Sequence, residues 1–128
     1  MEYYIIIPAH NEAAFLEDAL TAVAAQTLLP GKVVIVNDAS TDATEAIIDA
    51  FVSDYSFFYK VTTAAAPEHL PGSKVIRAFE KGLAVLDTHF NFIVKLDADI
   101  VLPPAYFESI AGIFKKHPGV GIAGGFAY

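Results

Sequence analysis

The 128-residue chain is long enough for one domain with a substantial core, because 55% of its residues are hydrophobic. Fifteen acidic and eight basic residues give a net charge of −7, which excludes a broad surface for nucleic acid or anionic membrane. The lack of cysteine excludes disulfides, thiolate metal sites and thiol nucleophiles. No apolar run approaches the roughly 20 residues of a membrane span, and the first residues lack the pattern of a signal peptide. We therefore expect a cytoplasmic segment, with membrane association of a longer protein left open.

Short apolar runs rich in β-branched and aromatic residues recur along the chain, separated by turn-forming residues. Each run is continuous rather than alternately polar and apolar, which is typical of strands in a parallel sheet covered on both faces. Pro8 ends the first run. The five predicted strands are residues 3–7, 33–36, 57–61, 90–96 and 120–124.

Between these strands, apolar residues recur with the 3.6-residue period of helices that bury one face. Asn11 is predicted to cap the first helix, with Glu12 favourably placed in its first turn. Ser40 or Asp42 is predicted to cap the second helix, and the proline pair at 103–104 to open the fourth. The residues predicted to face inward are Leu16, Ala19, Leu20, Val23, Ile47, Ile48, Phe51, Ile76, Phe79, Leu83, Leu86, Phe107, Ile110 and Phe114.

The alternation of strands and helices predicts an α/β fold with a Rossmann-like, mainly parallel sheet and helices on both faces. No repeat, low-complexity tract or linker divides the chain, so we expect a single domain over residues 1–128. The sequence ends in an apolar, glycine-rich stretch, whereas domain ends are usually polar. We therefore expect this domain to be part of a longer one.

Polar residues gather where the predicted strands end, in PAHNE after the first, NDAS after the second and DAD after the fourth. Ligands of open parallel sheets bind beyond the carboxyl ends of the strands. With a strand order of 3-2-1-4, these residues converge on one crevice: His10, Asp38, Asp97 and Asp99. Three carboxylates would repel an anionic ligand unless a divalent cation intervened, and Asp97 and Asp99 offer oxygen ligands suited to Mg²⁺ or Mn²⁺. If the ligand is a nucleotide diphosphate, the pattern predicts a metal that binds its phosphates and acts as a Lewis acid.

Four segments, in order, resemble the family 2 glycosyltransferases, which have the GT-A fold. They are IIIPAHNE, VVIVNDASTDAT, KVIRAFEKGL and IVKLDADIVLPPAYFE. The resemblance implies a metal-dependent enzyme that moves a sugar from a UDP- or GDP-sugar to an acceptor hydroxyl. It also implies a role in cell-wall or polysaccharide biosynthesis, with this chain as the N-terminal, donor-binding part.

On the nucleoside side, the resemblance implies that Pro8, Ala9 and His10 lie along the base, with His10 in place of a common tyrosine. Asp38 would hydrogen-bond the base or ribose, and Glu12 would stabilise the same loop or approach the nucleotide. Simpler roles stay open. His10 and Asp38 could serve as a loop hydrogen-bonding group and a helix cap, and Glu12 as an acid in the first turn of a helix.

On the phosphate side, the resemblance implies that Asp97 lies near ribose and metal, and that Asp99 ligates the metal bridging the diphosphate. Asp99 could instead only cap the following turn. Lys74 and Arg77 occupy the helix start where relatives offer a basic group to the donor, although such residues also form solvated helix faces.

The chain departs from the family pattern at Asn37, which replaces the first aspartate of the usual pair, and at Ala39, which replaces glycine. Glu80 stands where asparagine is frequent. The general base of inverting relatives lies on a later segment, so we expect the base and the acceptor site beyond residue 128. This segment alone is therefore expected to show little or no transfer.

Other functions fit parts of the pattern. A sugar nucleotidyltransferase should carry a glycine-rich, arginine-containing loop after the first strand, and PAHNEAAF contains no glycine. A phosphoacceptor signalling module needs an aspartate after the third strand, where this chain has YKVTTA. A nucleotide-binding module without catalysis stays open.

Overall fold

A computed structural model describes residues 2–63 and 80–116 of the protein. Residues 80–84 are helical and are labelled α3. The predicted fifth strand, 120–124, lies outside the described residues. The other elements are β1 Tyr3–Ala9, α1 Leu16–Ala24, β2 Lys32–Asp38, α2 Thr44–Asp54, β3 Phe58–Thr63, β4 Phe92–Lys95 and α4 Tyr106–Lys116.

The four strands form one sheet in the order β3-β2-β1-β4, and every neighbouring pair is parallel. This arrangement matches the predicted fold class and strand order. In the register of the sheet, Ala9 of β1 lies opposite Asn37 of β2. Asp38 at the end of β2 lies opposite Thr63 at the end of β3. The carboxyl ends of β1, β2 and β3 are therefore level with one another.

The described helices cover both faces of the sheet. Alternate β1 residues, among them Ile5 and Ile7, form one core cluster with Leu20 of α1, Ile48 of α2 and Phe107 of α4. The opposite face carries a smaller cluster of Ile6, Val34 and Val36. The chain moves outward from β1 to β3 and then returns past β1 to β4. Because crossovers between parallel strands are right-handed, this reversal brings the connection to β4 onto the opposite face.

Most of the predicted inward residues are confirmed. All four predicted in α1 are buried: Leu16, Ala19, Leu20 and Val23. In α2 and α4, Ile48, Phe107 and Ile110 are buried, and Ile47, Phe51 and Phe114 are partly buried against the same core. α4 begins two residues after the predicted proline pair. None of the described helices is long and apolar enough to cross a membrane.

The prediction that Leu83 faces the core is wrong, since this side chain is 41% exposed. Gly82 faces the sheet instead: a Cβ at this position would lie 2.7 Å from Ile6 Cγ2 and 3.1 Å from Val36 Cγ2. The missing side chain lets α3 approach the strands closely. Leu86 lies beyond the helix but packs against the smaller cluster. The other two residues predicted on this face, Ile76 and Phe79, lie outside the described residues.

The predicted start of the first helix is also wrong. α1 begins at Leu16, and Asn11 does not cap it but has a left-handed backbone, with a φ of 52°. At the second helix, the N-cap position belongs to Ala43 and not to either predicted residue. Asp42 Oδ1 nevertheless accepts the backbone N–H of Thr44, the first residue of α2, at 2.9 Å. The hydroxyl of Ser40 accepts the N–H of Asn11 instead.

Candidate functional site

The carboxyl ends of the strands bring most of the predicted site residues to one edge of the sheet. β1 ends at Ala9 and is followed by His10, and β2 ends at Asp38. β4 ends at Lys95, so Asp97 follows it on the other side of β1. The loops after β2, β1 and β4 are therefore neighbours in that order, at the edge where parallel sheets bind ligands.

His10 forms a hydrogen bond inside this group of loops. Its Nδ1 lies 2.5 Å from the carbonyl oxygen of Asp38. A carbonyl oxygen only accepts, so Nδ1 carries the proton and donates. Nε2 then lies 3.5 Å from the side-chain nitrogen of Asn11, and the residue as a whole is exposed. The loop hydrogen bond is thus present, while stacking on a base stays a prediction.

The Asp38 carboxylate is oriented by β3. The Thr63 hydroxyl donates to Asp38 Oδ1 at 2.8 Å. Asp38 belongs to β2, and α2 does not begin until Thr44, so the helix-cap interpretation does not apply. Thr63 was not among the predicted site residues. The available signal was a polar side chain at the carboxyl end of the strand next to β2.

The two residues that end β1 differ in their surroundings. Ala9 is only 2% exposed and belongs to the main core cluster. Ala9 would therefore contact a ligand through its backbone atoms and not through its side chain. Pro8 is half-buried and lies opposite Val36 of β2.

Glu12 lies within the electrostatic field of the acidic loop after β4. Burial raises the pKa of its carboxyl above the ordinary value, and the carboxylate of Asp99 raises it further. His10 lowers this pKa, whereas Asp42 and Asp97 add smaller increases. Glu12 precedes α1 rather than lying in its first turn. The loops after β1, β2 and β4 thus concentrate negative charge in one place.

The loop after β4 presents its two aspartates to solvent. Leu96 and Ala98 are buried, whereas Asp97 and Asp99 are exposed. Lys95 Nζ lies 3.3 Å from Asp97 Oδ1 in an exposed ion pair. Sequence reasoning missed Lys95, although its spacing of two residues from Asp97 is the spacing that puts strand side chains on the same face.

The residues present fit a divalent metal bound together with a ligand. Asp97 and Asp99 supply the hard oxygen atoms that Mg²⁺ and Mn²⁺ prefer. Within residues 2–63 and 80–116, no group of three His, Asp or Glu side chains could hold a metal ion. Ligand oxygens and water would therefore have to complete the coordination. The predicted basic contacts, Lys74 and Arg77, lie outside the described residues.

Residues 4–128 match the sequence profile of the family described as Glycosyl transferase family 2. The chain belongs to this family. The match confirms the resemblance drawn from the four motifs and identifies the chain with a family of transferase enzymes. It favours a glycosyltransferase over a sugar nucleotidyltransferase or a phosphoacceptor module.

One curated relative of this family 2 chain is an uncharacterized glycosyltransferase of Rickettsia typhi. It is 38% identical over 56 residues, which cover 44% of this chain and 18% of that protein. The chain therefore spans about a fifth of the relative's length.

Solved structures of similar fold include S. aureus TarS in complex with UDP, with a TM-score of 0.72 and 20% identity. The similarity covers 96% of this chain and 38% of that one. The mannosyltransferase PcManGT from Pyrobaculum calidifontis, in complex with GDP-Man and Mn²⁺, has a TM-score of 0.71 and 23% identity, covering 94% of this chain and 34% of that one. A glucosyl-3-phosphoglycerate synthase from Mycobacterium tuberculosis, in complex with Mn²⁺, UDP and phosphoglyceric acid, has a TM-score of 0.67 and 20% identity. This similarity covers 93% of this chain and 40% of that one. At these identities the similarity establishes the fold.

Proposed function

We propose that residues 1–128 are the N-terminal, donor-binding part of a metal-dependent glycosyltransferase. The complete protein would move a sugar from a UDP- or GDP-sugar to an acceptor hydroxyl. Family membership supports the reaction class. The complexes of structural relatives with UDP, UDP-GlcNAc and GDP-Man support the donor class.

The observation that carries the proposal is the meeting of three loops at the carboxyl edge of the sheet. Asp97 and Asp99 follow β4, the neighbour of β1 in the sheet. Burial raises the pKa of Glu12 in the loop after β1, and the carboxylates of Asp99 and, to a smaller extent, Asp97 raise it further. The same loop is bonded through His10 to the end of β2. A nucleotide bound across this edge would have its nucleoside near β2 and its diphosphate near β4.

On the nucleoside side, we propose that His10 and the end of β1, at Pro8 and Ala9, lie along the base of the nucleotide. The Asp38 carboxylate would accept a hydrogen bond from the base or ribose. Its Oδ1 already accepts the Thr63 hydroxyl, and an ionised carboxylate has further lone pairs for a ligand donor. Glu12 would stabilise this loop or approach the nucleotide.

On the phosphate side, we assign Asp99 as a ligand of Mg²⁺ or Mn²⁺ and Asp97 as a neighbour of ribose and metal. When bound, the metal would act as a Lewis acid for the departing diphosphate. Lys95 neutralises part of the charge of Asp97, and a cation between the acidic loops would lower the pKa of Glu12. Lys74 and Arg77 stay proposed donor contacts. The general base and the acceptor site are assigned to a part of the protein beyond these 128 residues.

Calorimetric titration of UDP and GDP, with and without Mn²⁺, tests the proposal. Wild type should bind one of the nucleotides in Mn²⁺, and Asp99→Asn should weaken this binding about tenfold or more, since about 1.4 kcal/mol corresponds to a factor of ten. The matched control is Asp54→Asn at the exposed end of α2, which should bind as wild type does. Equal affinity with and without Mn²⁺, unchanged in Asp99→Asn, would refute the metal bridge. The donor-binding proposal fails if neither nucleotide binds under any condition.

A further inference from the structure

The loop after β1 is joined to the loop after β2 and to the first residue of α2 by side-chain hydrogen bonds that neither the metal nor the nucleotide assignments use. We call this set of bonds the loop lock. Its members are Asn11 N–H to Ser40 Oγ at 3.1 Å, Thr41 N–H to Asn11 Oδ1 at 2.7 Å, Glu12 N–H to Thr44 Oγ1 at 2.9 Å, and Ala13 N–H to Asp42 Oδ2 at 3.3 Å.

Asn11 is the central residue of the loop lock. Its backbone N–H donates to one residue of the β2 loop, and its side-chain oxygen accepts the N–H of the next, Thr41. Its φ of 52° is a left-handed conformation, which asparagine adopts more readily than most residues. The chain bends at His10 and Asn11, and Asn11 makes two of the four bonds of the loop lock.

The loop lock holds the two predicted nucleoside contacts in one arrangement. His10 precedes Asn11, and its ring is bonded to the Asp38 carbonyl. On the other loop, the N–H of Ser40 donates to Asn37 Oδ1 at 3.3 Å. Asn37 is itself buried in β2, with 2% exposure. The β2 loop is therefore anchored to the sheet core, and Asn11 ties the β1 loop to that anchor.

We propose that Asn11 is a positioning residue for nucleotide binding, which holds His10 and Asp38 in the binding arrangement before the ligand arrives. This inference rests on the proposed donor-binding function. A preordered site avoids the entropic cost of ordering two loops when the ligand binds. The loss of Asn11 should then weaken nucleotide binding by the folded protein through its effect on His10 and Asp38.

The test compares Asn11→Gly with Asn91→Gly by titrating UDP and GDP in Mn²⁺. Glycine tolerates the left-handed φ and removes only the side chain of Asn11. Asn91 makes the same type of bond at the opposite edge of the sheet, where its Oδ1 accepts the N–H of Glu2 at 2.8 Å. We expect Asn11→Gly to bind the nucleotide about three- to tenfold more weakly, the range of one hydrogen bond, and Asn91→Gly to bind as wild type does.

Two further variants separate positioning from a general structural effect. Asn11→Asp keeps an acceptor for Thr41 but adds a negative charge to the acidic loops, so in Mn²⁺ it should recover part of the affinity lost in Asn11→Gly. In a His10→Ala background, Asn11→Gly should cost less affinity than in wild type, because the two residues act together. If Asn11→Gly does not fold, Ser40→Ala removes the other bond of Asn11 and should weaken binding in the same direction.

The outcomes separate this inference from the proposed function. A wild-type protein that binds neither nucleotide overturns both. If wild type binds and Asn11→Gly, or Ser40→Ala in its place, keeps wild-type affinity, the positioning role alone is overturned. Equal losses in Asn11→Gly and Asn91→Gly, or fully additive losses with His10→Ala, also overturn it, because a purely structural effect predicts both.

Discussion

Two helical glycines give opposite predictions for the same substitution to alanine. Gly82 in α3 faces the sheet, where an added Cβ would lie 2.7 Å from Ile6 Cγ2 and 3.1 Å from Val36 Cγ2. For Gly112 in α4, no atom of the described residues, apart from its chain neighbours and the nearby helix backbone, lies within 4 Å of the position that a Cβ would take. The intrinsic gain in helix propensity is the same for both, so any difference in stability comes from packing.

The expected magnitudes follow from these distances. A carbon–carbon contact of 2.7 Å is well inside the optimal separation of about 3.5–4.0 Å, so α3 or the strands must shift. Overpacking of this kind costs about 1–3 kcal/mol, against a propensity gain of about 1 kcal/mol at most. Gly82→Ala should therefore lose up to about 2 kcal/mol of unfolding free energy. Gly112→Ala should gain about 0.5–1 kcal/mol.

Urea unfolding followed by far-ultraviolet circular dichroism measures both variants against wild type. The slope of free energy against urea should stay constant, which shows that the midpoint shifts report stability. If Gly82→Ala is as stable as Gly112→Ala, the close approach of α3 to Ile6 is absent, and our reason for the exposure of Leu83 is wrong.

Two other predictions concern the ends of the strands. Asp87→Asn should lower the unfolding midpoint at neutral pH, because the Lys32 ammonium and the Tyr4 hydroxyl, at 2.7 and 2.6 Å, hold the pKa of Asp87 below its usual range. This stabilisation is present above the unfolded carboxyl pKa, so the gap to wild type should close as the pH falls below about 4; a gap independent of pH contradicts this. Ala39→Gly should raise the unfolding free energy by about 0.5–1 kcal/mol, because Ala39 has a φ of 52° and left-handed alanine is strained. Unchanged or lower stability in urea would show that the strain is not released.

Local patterns explain why much of the fold could be predicted. A 3.6-residue period identified the buried face of α1, and continuous apolar runs identified β1 and β2. The family motifs then indicated which strand ends carry the site. Each of these signals depends on residues close together in sequence, whose side chains point in directions that a regular helix or strand dictates.

Predictions failed or were incomplete where the backbone leaves regular geometry. Asn11 looked like a helix cap, but its left-handed φ turned it toward Ser40 and Thr41. The period of the third helix suggested that Leu83 faces inward, but close approach to the sheet favours Gly82 there. Capping propensity and periodicity depend on a residue's place in its own helix or strand. Neither signal gives the distance between that helix or strand and its neighbours.

The sequence by itself determined the class of fold, the family, and the strand ends where polar side chains gather, because local periodicity and motif order encode them. Only the tertiary structure decided which of those side chains meet. Thr63 reaches Asp38 across 25 residues of sequence, and Asn11 reaches Thr41 across 30. Such pairs depend on the order of the strands and on single residues with a left-handed backbone. A hydrogen bond forms only where these features bring the donor and the acceptor within about 3 Å.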